Sequence, residues 1–347
     1  MWTDSEIFRQ DLENILQDKA IPWAELEGKR ILVTGATGLI GQTLVSALLF
    51  YGMKTSNPPR VLALVRSLDK AKRVFEKQLK DCGENIEFII GDVCSLPAVE
   101  GRVDYIIHGA SQTASKAFVE KPVETIETAV FGTKSLLELA REKQSLSFVY
   151  LSSMEVYGTL DKKKTLKEED VGYLNPLSLR SSYPESKRIC ETMCCSYSSE
   201  YSVPAKICRL AQTFGPGVDI QNDQRILPYS IRCAIQQENI VLKTKGQSER
   251  MLLYTMDAVS ALLVILLRGE NGQAYNAANV GTYSSIYETA LEAAKLGEKP
   301  VQVVIEEGDA KQYPPDYYWN LNCTKLNCLG WNHSRTILEI LERSRKA

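Results

Sequence analysis

One short stretch constrains this chain more than any other. A β-rich run, Arg30 to Thr34, breaks at Gly35-Ala36-Thr37-Gly38-Leu39-Ile40-Gly41 and passes directly into an apolar helical stretch, Leu39 to Phe50. Glycines at this spacing permit a tight reversal, let backbone N–H groups approach an anion, and let the helix pack closely on the strand. The open N-terminus of a helix adds donors and a favourable dipole for phosphate. A glycine triplet alone is weak evidence, but between a strand and a helix it predicts a dinucleotide pyrophosphate site.

The alternation continues along the chain. Val61 to Val65, Ile86 to Ile90, Val103 to His108, Phe148 to Ser152 and Ala205 to Leu210 read as strands. Ala71 to Lys80, Val123 to Glu142 and Arg180 to Glu200 read as helices between them. That order predicts an α/β fold, a Rossmann-type doubly wound parallel sheet with helices on both faces. Beyond Phe214 the alternation weakens. Gly215-Pro216-Gly217 and two helical stretches, Met256 to Arg268 and Ser284 to Leu296, precede Tyr313-Pro314-Pro315 and suggest a smaller mixed C-terminal substrate region.

The expected division is an N-terminal helical extension over 1–28, an NAD(P)-binding domain over 29–212, and a mainly substrate-binding region over 213–347, the chain returning to the first domain near 252–280. In the extension, Thr3 with Glu6 forms a capping box, and Ile7, Leu12, Ile15 and Leu16 recur at helical spacing. A helix over 3–17, outside the main fold, follows as a brace or a contact between copies.

Charge narrows the function. With 41 Lys+Arg against 43 Asp+Glu the chain has no basic field to draw nucleic acid or an anionic membrane. The run Lys162-Lys163-Lys164 is answered by Glu168, Glu169 and Asp170 and reads as a solvated loop. The longest apolar stretches, Leu44 to Met53 and Ala258 to Leu267, fall short of the roughly 18 residues a bilayer needs. The polar, acidic N-terminus is unlike a signal peptide, so a cytoplasmic protein with nine free cysteines is expected. Cys194-Cys195 and the Cys323/Cys328 pair lack zinc spacing, and the only histidines are His108 and His333, so no metal centre is expected.

Where a ribose-binding acidic residue is expected, about 20 residues beyond the glycine turn, stand Arg66 and Ser67. A guanidinium fork and a hydroxyl suit a 2′-phosphate, which favours NADP over NAD. Gly91-Asp92-Val93 ends the third strand and can set a carboxylate and an N–H beside adenine. His108-Gly109-Ala110-Ser111 ends the fourth, where small residues let a cofactor lie close and His108 forms a wall.

Ser152-Ser153 closes the fifth strand, and Tyr183 and Lys187 follow at the i, i+4 spacing of one helical face. A phenol with an ordinary pKa of about 10 is a poor base, but an adjacent ammonium and a cationic nicotinamide stabilise its phenolate. Tyr183 is then expected to take the proton of a substrate hydroxyl as its carbon gives up a hydride. Ser153 would hold that hydroxyl, and Lys187 would also contact the nicotinamide ribose.

These motifs in this order resemble the extended short-chain dehydrogenase/reductases, in the nucleotide-sugar epimerase/dehydratase family. The resemblance runs from about Gly28 to Trp331 through VTGATGLIG (33–41), GDV (91–93), IIHGAS (106–111), FGTKSLLELA (131–140), SSMEVYG (152–158), RSSYPESKR (180–188), RLAQTFGPG (209–217), RMLLYTMDAVSALL (250–263) and KLNCLGW (325–331). It implies a nucleoside diphosphate-sugar substrate oxidised transiently at C4, and a homodimer through the helices Val123 to Glu142 and Arg180 to Glu200.

By the same resemblance Arg209 and Gln212 lie near the diphosphate or sugar, Gln212 where Asn is usual, with Arg225 and Arg250 on the diphosphate and Arg180 a further substrate-binding residue. Asn276 is a structural neighbour. In the family's 4,6-dehydratases an Asp-Glu pair follows the Ser/Thr, the Asp protonating the departing C6 hydroxyl and the Glu taking the C5 proton. Here Met154 replaces the Asp, and a thioether cannot donate a proton. Glu155 remains, and SSMEVYG and RSSYPESKR look more like UDP-glucuronate decarboxylases and 4-epimerases. Ala129 stands where the family usually has an Asn that orders a proton-relay water. Open alternatives are a 4,6-dehydratase, an NADP-dependent reductase that releases its product, and a non-catalytic dinucleotide sensor or scaffold.

Overall fold

The computed structural model describes residues 5–113, 115–160, 163–308 and 316–346. Seven parallel strands form its central sheet: β1 (Arg30–Thr34), β2 (Arg60–Val65), β3 (Ile86–Ile90), β4 (Tyr105–His108), β5 (Ser147–Ser153), β6 (Ala205–Leu210) and β7 (Ala274–Ala277), in the order β7-β6-β5-β4-β1-β2-β3. The strand order reverses between β1 and β4, and the crevice outside the carboxyl ends at such a reversal is where α/β sheets bind ligands.

Six helices matter to the site: α1 (Glu6–Leu16), α2 (Leu39–Gly52), α3 (Pro122–Glu142), α4 (Ser182–Tyr201), α5 (Thr255–Arg268) and α6 (Ile337–Lys346). Successive strand residues point to opposite faces. Val33, Val149 and Leu151 pack on one face with Leu48 of α2 and Leu262 of α5. Leu32, Ile106, Phe148 and Tyr150 pack on the other with Leu136 of α3 and Cys190 and Cys194 of α4. Burial on both faces is why the strands read as nearly continuous apolar runs.

Several elements differ from the sequence expectation, each for a local reason. The helix expected over Ala71 to Lys80 is two short ones, Leu68–Val74 and Glu76–Cys82. Ser67 caps the first, and Phe75, buried and stacked on Phe88, separates it from the second. β4 starts at Tyr105 rather than Val103, because the Asp104 carboxylate accepts the Arg30 N–H at 2.7 Å. The stretch from Ser284 narrows to Ile286–Ala294, opened by a Ser285/Glu288 capping box. The four-residue β7, paired with β6, carries too short an apolar signal to be read as a strand.

The N-terminal helix is capped by Ser5, whose hydroxyl accepts the Phe8 N–H at 3.2 Å; Thr3 lies outside the described residues. The helix is not outside the main fold: Phe8, Leu12 and Ile15 are buried with residues of α2 and α5 in the larger core. Its buried Asp11 accepts the Tyr254 hydroxyl and the Arg343 guanidinium, linking both ends of the chain to the entry of α5. Lys163 pairs with Glu249 and Lys164 with Asp170, while Lys162 and the Tyr313-Pro314-Pro315 segment lie outside the described residues.

A small sheet of Ser284–Ser285, Glu249–Arg250, Tyr318–Leu321 and Thr165–Leu166 stands apart from the main one. All nine cysteines are free thiols. Among the described residues no cluster of His, Cys, Asp and Glu is placed to hold a metal, and no helix is long and apolar enough to cross a membrane.

Leu12 is fully buried. Leu12→Ala should lower unfolding stability by about 2–5 kcal/mol in urea titration, the cost of a core cavity. A loss below about 1 kcal/mol would show instead that α1 is a loosely attached extension.

Candidate functional site

The glycine turn makes a cradle by steric necessity. Gly35 has φ +69°, and a Cβ there would lie 2.8 Å from the Gly109 carbonyl carbon; a Cβ on Gly41 would lie 2.2 Å from the Gly35 oxygen. The N-cap of α2, Gly38, offers no side-chain acceptor. The N–H groups of Leu39, Ile40 and Gly41 therefore have no intrahelical partner. Beside half-buried Thr37, these donors fit a pyrophosphate.

The flanking positions take different parts. Arg66 is exposed at the carboxyl end of β2. Ser67 spends its hydroxyl on the Lys70 N–H. Asp92 accepts the Cys94 N–H at 2.8 Å, Val93 is buried, and Ala110 donates its N–H to the Thr34 hydroxyl at 3.1 Å. His108 is sealed rather than lining a surface: its ring nitrogens meet the hydroxyls of Thr34 at 2.8 Å and Thr133 at 3.2 Å. Burial, with the Lys187 charge, pulls its pKa down to about 3, so it is a neutral wall with no atom left for a cofactor.

The chemical groups converge where β5 ends and α4 begins. Ser153 accepts the Glu155 N–H at 3.2 Å, fixing the helical turn Met154–Tyr157. Tyr183 lies in the first turn of α4, its ring stacked on Phe118 at 4.3 Å between centroids. One turn on, Lys187 donates to the Leu151 carbonyl at 2.7 Å, with its ammonium 4.6 Å from the Tyr150 ring centre and 5.7 Å from that of Tyr183. Glu155 receives the Arg180 guanidinium at 2.7 Å, and Arg180 also lies over Phe118.

Burial dominates the electrostatics here. It pushes the Tyr183 phenol well above its usual pKa, reinforced by the Glu155 charge and opposed by a Ser153 hydrogen bond and the Arg180 charge. It pulls Lys187 down to about 8 against the pull of Cys190, Glu191 and Cys194. It raises Glu155 despite Arg180. Desolvation thus outweighs the chain's own charges, and Tyr183 is a neutral phenol among them, so the cationic nicotinamide is the part of the expected stabilisation that these groups do not supply.

Ser153, Glu155, Arg180, Tyr183 and Lys187 are brought together; Arg209 is not among them. In the register of β5 and β6, Arg209 is opposite Ser152 and Leu210 opposite Ser153, so Arg209 shares the face of Ser152 and Tyr150 that α4 covers and not the face of Ser153. Its guanidinium is committed to both oxygens of Glu191, the Tyr157 hydroxyl and the Glu168 carbonyl. These bonds make it a brace, whereas the resemblance implied a place near the diphosphate or sugar. Arg225 is held by Asp223 ahead of the helix Ile226–Ile235.

Arg250 is buried, donates to the Tyr317 hydroxyl at 2.9 Å, and has an Nε with no partner among the described residues. Tyr317 stacks on Trp319, whose indole donates to the Gly158 carbonyl closing the Glu155 turn. The buried Gln212 Oε1 is likewise unpartnered among the described residues. Met154 and Ala129 are buried, and the Ala129 carbonyl accepts the Cys190 thiol. Asn276 accepts from Tyr157 and donates to two backbone carbonyls, a structural neighbour as expected. The sequence reading missed Glu191 and Phe118. Glu191, four residues beyond Lys187 on the same helical face, carried a readable signal; Phe118 carried none.

The pattern described as the NAD dependent epimerase/dehydratase family matches residues 31–281. The chain is similar to UDP-glucuronic acid decarboxylase 1 of Xenopus tropicalis, 31% identical over 260 residues that make up 74% of this chain and 59% of that protein. It thus spans about three-fifths of that relative's length. It is also similar to dTDP-D-glucose 4,6-dehydratase of Homo sapiens, 26% identical over 89% of this chain and 87% of the other. In fold it resembles an epimerase from Methanothermobacter thermautotrophicus, with TM-score 0.77 and 24% identity over 96% of this chain and 94% of that one.

His108 gives a pH prediction. Above its ordinary pKa of about 6.5 both folded and unfolded chains hold it neutral; as pH falls toward 3 only the unfolded chain takes the proton. This group should therefore cost stability at up to ~1.4 kcal/mol per pH unit over that window. Its imidazole NMR signals should stay those of the neutral ring from pH 8 to 5, whereas a midpoint near 6.5 would contradict the sealed environment.

Proposed function

Because the chain belongs to the NAD dependent epimerase/dehydratase family, we propose that it is an enzyme rearranging a nucleoside diphosphate-sugar by transient oxidation at C4, with a uronate as the sugar. The outcome is then loss of the C5 carboxylate as CO2 or inversion at C4. One observation carries this reading: the Arg180 guanidinium, paired with Glu155, lies over the Phe118 ring that stacks on Tyr183. A cation there can hold a sugar carboxylate through a bidentate contact. The decarboxylase relative is in keeping with it.

Bound NAD(P) would supply the acceptor for the hydride leaving C4 and a positive ring charge near the phenol. Ser153 holds the C4 hydroxyl by hydrogen bonding. Tyr183 takes that hydroxyl's proton once added positive charge offsets the burial that keeps it neutral, and returns the proton when C4 is reduced again. Lys187 supports the phenolate with its ammonium. Glu155, its pKa raised by burial, is suited to move a proton at C5, which the C4 ketone makes acidic. Water loss lacks its acid, since Met154 cannot donate a proton.

Residues 29–212 would hold the cofactor and 213–347 most of the sugar nucleotide. Arg250, with its free Nε, and Arg225 would bind the diphosphate, with Gln212 near the sugar. The exposed Arg66 would select NADP over NAD. Exposed Val123, Ile126 and Phe131 on α3 and Ile189 on α4 suit a homodimer through those helices. The nine free thiols suit a reducing compartment such as the cytoplasm.

Tyr183→Phe should lower turnover of a UDP-uronate about a thousandfold while cofactor content is unchanged. Retained turnover would remove Tyr183 from the reaction. Mass spectrometry of the product should find loss of CO2 or no mass change, without net consumption of cofactor. Loss of water would establish a dehydratase, and stoichiometric cofactor consumption a reductase; either contradicts the proposal.

A further inference from the structure

The groups Arg209 gathers have no part in the chemistry above, yet they join every element that carries it. Ser152, next to Ser153 on β5, donates its hydroxyl to Glu191 Oε1 at 2.5 Å. Glu191 lies one turn beyond Lys187 on α4 and is clamped by Arg209 of β6, Nε to Oε1 at 3.0 Å and Nη2 to Oε2 at 2.7 Å. Arg209 Nη1 also donates to the Tyr157 hydroxyl at 3.0 Å, and Tyr157 donates to Asn276 Oδ1 of β7 at 2.7 Å. Ser152, Glu191 and Asn276 are almost entirely buried.

This network stands under α4, on the sheet face of Ser152 and Tyr150 rather than that of Ser153. What it fixes is register. Ser153 comes from a strand and Tyr183 and Lys187 from a helix, and a slip of α4 by one residue, about 1.5 Å, would separate them. The Ser152–Glu191 bond ties the neighbour of Ser153 to the turn after Lys187.

It also supplies charge. The titratable groups facing Lys187 are Tyr183, Cys190, Glu191 and Cys194 on its own helix, Tyr150 on β5 and His108 on β4. Burial keeps both tyrosines and both thiols in their neutral forms and leaves His108 uncharged. Glu191, salt-bridged to Arg209, is the one negative charge among these groups.

We propose that Glu191 is a positioning residue for the Tyr183–Lys187 pair: clamped by Arg209 and Ser152, it sets the register of α4 on β5 and provides the counter-charge that keeps the buried Lys187 ammonium cationic. This rests on reading Tyr183 and Lys187 as the proton-handling pair, so the test reads the lysine itself and needs no turnover.

Lysine labelled at Nζ is titrated by NMR in the whole chain, with Lys187→Arg assigning the signal. The Lys187 midpoint, near 8 in the native chain, should fall by about one pH unit in Glu191→Gln. Glu191→Asp, which keeps the charge, should largely restore it. Where Glu191→Gln leaves Arg209 unpaired and the chain unstable, the double variant Glu191→Gln with Arg209→Met removes both buried charges, and its Lys187 midpoint should still fall, by less than in Glu191→Gln because loss of the Arg209 cation offsets part of the change. An unmoved midpoint in the folded variants would overturn the proposal and leave Glu191 a structural brace. With a sugar substrate in hand, the high-pH limb of kcat should move down alongside, KM changing less than about twofold. A fallen midpoint without any sugar turned over would uphold this inference and count against the proposed function alone.

Discussion

Desolvation at the carboxyl edge of the sheet governs this molecule. Tyr183 and Lys187 are both nearly inaccessible, one helical turn apart, and burial drives each toward its neutral form: the phenol upward, the ammonium down to about 8. In water such a pair would be a weak base beside a fixed cation. Buried, it is poised, because a modest change in local charge alters the protonation of both groups. The surrounding residues are arranged around that poise. Phe118 covers the tyrosine ring, the Leu151 carbonyl anchors the ammonium, and Glu155 and Arg180 place opposite charges at its border.

The parts legible in the sequence are those where chemistry and local geometry coincide. The turn at Gly35 could be read because its backbone conformation and the approach of α2 at Gly41 exclude any side chain. Six strands were readable from their apolar runs, whereas β7 was not: AYNA breaks its apolar run with Asn276 and depends on β6 for its pairing. The helix split at Phe75 was hidden because its cause is a contact with Phe88 on another element. Spacing found Ser153, Tyr183 and Lys187, but spacing cannot say that desolvation would outweigh the lysine at the phenol.

Arg209 shows the limit most plainly. As a residue type it suits phosphate, and the family resemblance pointed the same way. The register that sets it opposite Ser152 turns it beneath α4, where Glu191 and Tyr157 occupy its donors. Long-range packing also decides the ends of the chain. Asp11 on α1, Tyr254 ahead of α5 and Arg343 on α6 meet in one buried cluster, and His333 bridges Asp18 and Ser260 nearby. Those bonds brace the helix that packs beneath β5 and β6, so both termini contribute to the rigidity of the site.

Ultraviolet difference titration of the Tyr183 phenol, isolated by subtracting Tyr183→Phe, bears most directly on this account. It should find the midpoint above the ordinary tyrosine value of about 10 in the protein stripped of cofactor, and find it fall below that value once NAD is added. A midpoint that starts near 10, or that NAD leaves in place, would contradict the claim that this buried pair is held neutral until positive charge arrives beside it.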